Sequence, residues 1–267
     1  MSKTVFITGG SSGIGKAIGE YLLLNNFIVF GTSRNPKKYP NSKFTLLKLD
    51  INDLDSIKQF TNNIKKKKLR IDVLINNAGV GITGPMEEIP ILEMKKNFET
   101  NFFGPINLIN SVLPIMRNQK KGLIINITSI AGYIGLPFRG IYSAGKGALE
   151  LITESYRTEL KQFGIKMTNI APGEFSTRIA ESRYHSPVRE DSPYKTNYKS
   201  TLQLLNQHVS KGKNPLILGK LVHRIIKTNN PKIHYKIGAP LQKFSIILKR
   251  ILPDLIFEKM LMLFYKL

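Results

Sequence analysis

The sequence predicts an α/β fold: a single domain on an open, doubly wound parallel sheet with helices on both faces. Three observations predict it. Short apolar, β-branched segments alternate with stretches of helical periodicity from the first residues to about residue 171. These strand segments are apolar on both faces, as strands covered from both sides are. With 267 residues and 42% hydrophobic composition, the chain fills one large domain and leaves little length for a second.

Thr4 to Thr8 reads as the first strand, followed by a glycine-rich turn and the helical pattern Ile14, Ala17, Ile18, Tyr21, Leu22. Strands follow at Phe27 to Thr32 and Phe44 to Leu49, then a helix from Asp53 to Lys66 and a strand from Val73 to Asn76. Helical segments span Ile91 to Met116. A strand at Leu123 to Thr128, a helix at Ile141 to Phe163 and a strand at Ile165 to Ala171 complete the alternation. After Pro172 the pattern changes. Glu174 to Tyr198 is polar, contains Pro187 and Pro193 and has no period, as a long binding loop would. Helical patterns resume from Leu202, a last strand is expected at Ile233 to Ile237, and the tail from Pro240 reads as helices interrupted by Pro253. Residues 174–230 are thus expected to form the substrate-loop or lid region and 239–267 a helical tail.

Composition narrows the function. Cysteine is absent, which excludes disulfides, thiolate nucleophiles and cysteine metal sites. The four histidines, His185, His208, His223 and His234, lack metal-pair spacing, so no metal is expected. The start carries no secretory pattern, and the expected location is the cytoplasm. The longest apolar runs, such as Met260 to Tyr265, fall far short of the roughly 20 residues of a membrane span. The net charge of +22 raises nucleic acid or an anionic membrane as partners. Lysine and arginine are scattered through every segment, Lys65 to Lys68 being the one tight run, and nucleic acid is not expected to bind. In the tail, Leu241, Phe244, Ile251 and Leu255 interleave with Lys243, Lys249 and Arg250. That composition suits a helix at an anionic interface, and equally one packed on the domain or on a second subunit.

The chemistry begins at Thr8-Gly9-Gly10-Ser11-Ser12-Gly13-Ile14-Gly15, between the first strand and helix. Glycines there allow a tight turn and close approach of backbone N–H groups to a pyrophosphate, and the helix N-terminus favours its charge. Further on, Tyr142 and Lys146 lie four apart on a predicted helix and project from one face. An ammonium group beside a phenol favours the phenolate, which is what a tyrosine needs to move a proton near neutral pH. Each residue alone has a plainer reading: a solvated Tyr-Lys pair, or Ser129 as a helix cap.

The joint pattern resembles the short-chain dehydrogenase/reductase family. The first turn is similar to its TGxxxGxG element, Asn76-Asn77-Ala78-Gly79 to its NNAG element and Tyr142-Ser-Ala-Gly-Lys146 to its YxxxK pair, with Ser129 thirteen residues before the tyrosine. Asn101 matches the family's helical asparagine, Asp50 its adenine contact, and Pro172-Gly173 with Thr177 completes the set. The resemblance implies a Rossmann-like sheet, often assembled as a homodimer or homotetramer. It implies hydride transfer between a nicotinamide and a small-molecule carbonyl or alcohol, with Tyr142 as acid-base, Lys146 holding the ribose, Ser129 the substrate oxygen and Asn101 a proton path. Gly9, Ser11, Ser12, Gly13, Ile14, Gly15, Asn77, Ala78 and Gly79 fall to the cofactor. After the second strand stands Arg34, preceded by Thr32 and Ser33 and followed by Lys37 and Lys38, where an acidic residue would select NAD. A guanidinium there suits a 2′-phosphate, so NADP is expected. The tail is similar to members that handle steroids, retinoids and other lipid-like ketones. A catalytically silent NADP-binding sensor and a sugar-nucleotide epimerase remain as alternatives.

Overall fold

The computed structural model describes residues 2–175, 183–210 and 212–267. From the amino end, β1 (Thr4–Ile7), α1 (Gly13–Leu24), β2 (Ile28–Ser33), β3 (Thr45–Lys48), α2 (Leu54–Lys66) and β4 (Val73–Asn76) follow one another. A short β5 (Ile82–Thr83) precedes α3 (Ile91–Phe98) and α4 (Gly104–Asn118), then β6 (Gly122–Ile127), α5 (Gly140–Glu159) and β7 (Ile165–Pro172). The remaining elements are β8 (Tyr184–His185), α6 (Lys195–Ser210), α7 (Leu216–Lys227), β9 (His234–Ile237), α8 (Pro240–Ile251) and α9 (Asp254–Tyr265).

Among the described residues, seven strands pair in parallel in the order β3-β2-β1-β4-β6-β7-β9. This is the expected Rossmann-like architecture. Alternation along each strand builds two cores from one sheet, because successive side chains point to opposite faces. Val5, Ile7, Val73 and Ile75 face Ile18 and Leu22 of α1 and Leu218 and Val222 of α7. Phe6, Leu74 and Ile124 face Ile57 and Phe60 of α2 and Leu108 and Val112 of α4. Each fully buried side chain of this size contributes roughly 1.5–3 kcal/mol.

The chain runs outward from β1 to β3 and restarts on the other side with β4. The carboxyl ends of β1 and β4 therefore flank the point where strand order reverses, which is where open α/β sheets form their ligand crevice.

Three features differ from the sequence expectation. The helical stretch from Ile91 to Met116 is α3 and α4 joined through a π turn, Glu99–Phe103. The polar loop expected over Glu174 to Tyr198 contains β8, which pairs in parallel with β5, and α6 begins at Lys195 rather than near Leu202. One long-range anchor orders that polar first turn: Tyr198 is 1% exposed, and its hydroxyl donates to Ser186 O at 3.0 Å. The 174–230 region also divides, since α7 covers the sheet beside α1 as part of the main core.

In the tail, Ile246 and Phe257 pack with Ile130, Ile134 and Ala171 near the carboxyl ends of β6 and β7. Leu241, Ile251, Leu255 and Leu263 remain exposed. No helix among the described residues is long and apolar enough to cross a membrane.

Candidate active site

The first turn adopts the geometry its glycines allow. Gly9 and Gly13 have φ of +64° and +52°, the left-handed region that disfavours a side chain. A Cβ at Gly15 would stand 2.4 Å from Gly9 O and 2.5 Å from Asn77 Nδ2, so α1 starts hard against the loop. Ser12 is the N-cap of α1 yet makes no side-chain capping bond, and Ser11 and Ile14 stand beside it. An uncapped helix N-terminus behind a glycine turn fits a pyrophosphate. The β4 end is tied to this turn. Thr8 Oγ1 accepts from Asn77 N at 2.9 Å and Ala78 N at 3.0 Å, while Asn77 Nδ2 donates to Thr8 O at 2.9 Å.

At the crevice's far edge, Arg34 is exposed directly after β2, with Lys37 and Lys38 in the turn behind it. Asp50 lies just past β3, and its Oδ1 accepts from Asn52 N at 3.0 Å. A side chain at either end can reach a group lying across β1.

Asn101 is held in the π turn. Pro105 has no N–H to offer the Asn101 carbonyl four residues earlier, and its ring crowds that carbonyl. Instead Gly104 N bonds Glu99 O, five residues back. Single π turns of this kind recur at functional sites. Asn101 is 1% exposed: its Nδ2 donates to Val80 O at 2.8 Å and Asn97 Oδ1 at 3.0 Å, and its Oδ1 accepts from Val80 N at 3.2 Å.

Ser129 lies two residues past β6 and caps the short turn Ile130–Tyr133, accepting from Ala131 N at 3.1 Å. The plain reading of this serine as a cap is thus fulfilled, while its O–H remains able to donate. Tyr142 and Lys146 lie on the buried face of α5, with Lys146 Nζ 6.0 Å from the tyrosine ring centre. Lys146 Nζ also donates to Ile127 O at 3.1 Å. Burial pushes its ammonium below the ordinary lysine range, opposed by the charges of Tyr142 and Glu150. Gly79 joins these groups: a Cβ there would stand 2.8 Å from Asn101 Oδ1 and 3.3 Å from Lys146 Nζ.

Pro172 ends β7 and Gly173 N donates to Ile237 O at 2.7 Å, which ties this bend to the end of β9. Thr177 lies outside the described residues.

Sequence reasoning missed the next turn of α5. Glu150 is buried and accepts from Tyr133 Oη at 2.8 Å, from Asn169 Nδ2 at 2.9 Å and from Thr128 Oγ1. His234 Nδ1 lies 2.7 Å from the same carboxylate, and its Nε2 lies 3.0 Å from Glu154. The hydrogen bond to Glu150 holds the His234 imidazolium to higher pH than a free histidine. Extending the Tyr142–Lys146 spacing by four residues would have found Glu150. Arg139, whose Cζ lies 5.0 Å from the Tyr142 ring centre, and Arg183 near it carried no sequence signal at all.

A dinucleotide crevice at a switch point with a Tyr-Lys pair in it defines an oxidoreductase architecture. The short chain dehydrogenase profile matches residues 3–187. A 3-ketodihydrosphingosine reductase of Bacteroides thetaiotaomicron is 36% identical over 262 residues, covering 98% of this chain and 97% of that protein. An NADPH-dependent 3-dehydrocapnine reductase of Ornithobacterium rhinotracheale is 32% identical, covering 97% and 95%. The crystal structure of a short-chain dehydrogenase from Streptomyces avermitilis superposes with a TM-score of 0.79 at 28% identity, covering 94% of this chain and 96% of that one. The chain belongs to the short-chain dehydrogenase/reductase family of oxidoreductases.

Proposed function

We propose that the protein is an NADPH-dependent reductase that converts a ketone on a lipid-like molecule to a secondary alcohol. The observation that carries this reading is the convergence at Gly79, where Asn101 and Lys146 leave no room even for a methyl group. A bound nicotinamide dinucleotide would supply the hydride. Gly9, Ser11, Ser12, Gly13, Ile14 and Gly15 would hold its pyrophosphate and Asp50 its adenine, with Asn77, Ala78 and Gly79 as further contacts. Pro172 and Gly173 would also contact it. Arg34 would take the 2′-phosphate, with the neighbouring lysines adding positive field.

Tyr142 gives a proton to the carbonyl oxygen as the carbon is reduced, and Ser129 donates a hydrogen bond to that oxygen. The Lys146 ammonium favours the phenolate left behind. Asn101, locked by three hydrogen bonds, keeps the π-turn backbone in place for reprotonation. The apolar surroundings of Tyr142, made by Ile82, Ile89 and Ala131, suit a hydrocarbon substrate. So do the names of the two reductases to which the chain is similar.

The test is NADPH consumption with a panel of long-chain ketones, for wild type and Tyr142→Phe, repeated with NADH. Turnover that prefers NADPH and is lost in Tyr142→Phe supports the reading. Tight NADPH binding without turnover of any ketone would favour a sensor on the same fold.

A further inference from the structure

Arg183 is the one described arginine that is fully enclosed, at 8% exposure, and its Nη1 is buried without a hydrogen-bond partner. Among the described residues, neither Arg183 nor Arg139 forms a salt bridge. A guanidinium cannot escape this situation by losing its proton. A buried, unpaired charge is among the costliest features a fold can hold, and here a second arginine adds repulsion. Burial and the charge of Arg139 both weaken the proton affinity of Arg183. Glu174 is the carboxylate within electrostatic range, and it accepts from Gln242 Nε2 at 2.9 Å.

The position points toward substrate rather than cofactor. Arg183 lies over Gly81, where a Cβ would stand 2.8 Å from its Cγ, two residues beyond the Gly79 convergence. It directly precedes β8, whose Tyr184 packs in the apolar cluster of Ile82, Ile89 and Tyr142. Arg139 stacks on the Tyr142 ring. Positive charge and apolar surface thus meet beside Tyr142.

We propose that Arg183 and Arg139 form a subsite for an oxyanion carried by the substrate, so that the preferred ketones are anionic amphiphiles. This rests on the reductase reading above and names the class of substrate within it. A fork of N–H groups donates to the oxygens of a carboxylate, sulfonate or phosphate monoester, while an ammonium headgroup is repelled.

The experiment uses ketones of one chain length bearing a sulfonate, carboxylate, hydroxyl or ammonium head, with NADPH, for wild type, Arg183→Gln, Arg183→Lys and Arg139→Gln. The expected result is a kcat/KM about tenfold to a hundredfold higher for the anionic heads than for the hydroxyl head. The ammonium head is expected to be the poorest, and the preference to collapse in both glutamine variants. Octanesulfonate titrated calorimetrically into the full chain, with and without NADPH, reads the same subsite without turnover and should bind about tenfold or more weakly to the variants. Equal kcat/KM for all heads, or equal octanesulfonate affinity in wild type and variants, overturns the subsite while leaving the reductase standing. Loss of NADPH affinity with head preference intact also overturns it, by assigning the guanidinium to the cofactor. If no ketone is reduced at all, the reductase reading fails and the octanesulfonate titration alone decides the subsite.

Discussion

Replacing Gly79 by alanine tests the active-site geometry with one methyl group. The added carbon would stand 2.8 Å from Asn101 Oδ1, roughly 0.6 Å short of ordinary van der Waals contact. Asn101 cannot rotate away freely, because Val80 and Asn97 hold both ends of its amide. Either the amide shifts and weakens these bonds, or the Gly79 backbone retreats from Lys146 Nζ, 3.3 Å from the same carbon. Overpacking of this kind costs about 1–3 kcal/mol, which lowers Tm by about 2–10 °C in a chain of this size. The effect on turnover should be larger, because displacing reacting groups by about 1 Å costs on the order of a hundredfold. The assay pairs thermal unfolding with steady-state NADPH oxidation on whichever ketone the wild type reduces best. Gly135→Ala is the control, since a Cβ there meets nothing within 4 Å. If Gly79→Ala turns over within a factor of two of both wild type and the control, the convergence of Asn101 and Lys146 on Gly79 has no catalytic meaning.

Arg34→Asp removes a guanidinium and places a carboxylate where it can accept from a ribose hydroxyl. We expect kcat/KM for NADPH to fall at least tenfold and that for NADH to rise; an unchanged ratio would remove Arg34 from cofactor selection. The His234 pair should make stability depend on pH. Its imidazolium is favoured in the folded chain above the unfolded value of 6.5, so the pair's contribution is complete below that pH and lost as pH rises through the folded value. The Tm gap between wild type and His234→Gln is therefore expected to narrow as pH rises through and beyond that range, and a gap that is flat or widens would contradict the ion pair with Glu150.

The sheet was legible because buried parallel strands write themselves as short apolar runs: Val5 to Ile7 and Val73 to Ile75 are recognisable without any long-range information. The glycine turn was legible because positive φ restricts the residue type, as at Gly9 and Gly13. Tyr142 and Lys146 could be paired because helical spacing is local. What stayed hidden depends on contacts distant in sequence. β5 and β8 are two residues each, too short for any period, and exist because they pair with each other across a hundred residues. Tyr198 orders the start of α6 through Ser186 and the β5 carbonyl of Thr83, which no local pattern announces. Arg183 looked like one of many scattered basic residues, and its enclosure arises from packing over Gly81. The π turn leaves hydrophobic periodicity nearly intact on both sides, so Ile91 to Met116 read as ordinary helix.

That turn sets the angle between two helices that are otherwise one rod. A helix advances about 100° per residue, so the extra residue in Glu99–Phe103 acts as a phase slip between α3 and α4. Removing one of its residues other than Asn101 would take out that slip, and everything upstream would swing by about that angle about the rod axis relative to α4. Asn97, which also donates to Val80 O, would be carried away from the β4 loop although no side chain of the site had been altered. The segment can therefore absorb changes of residue far more readily than a change of length, because its length is the dial that aims the asparagines.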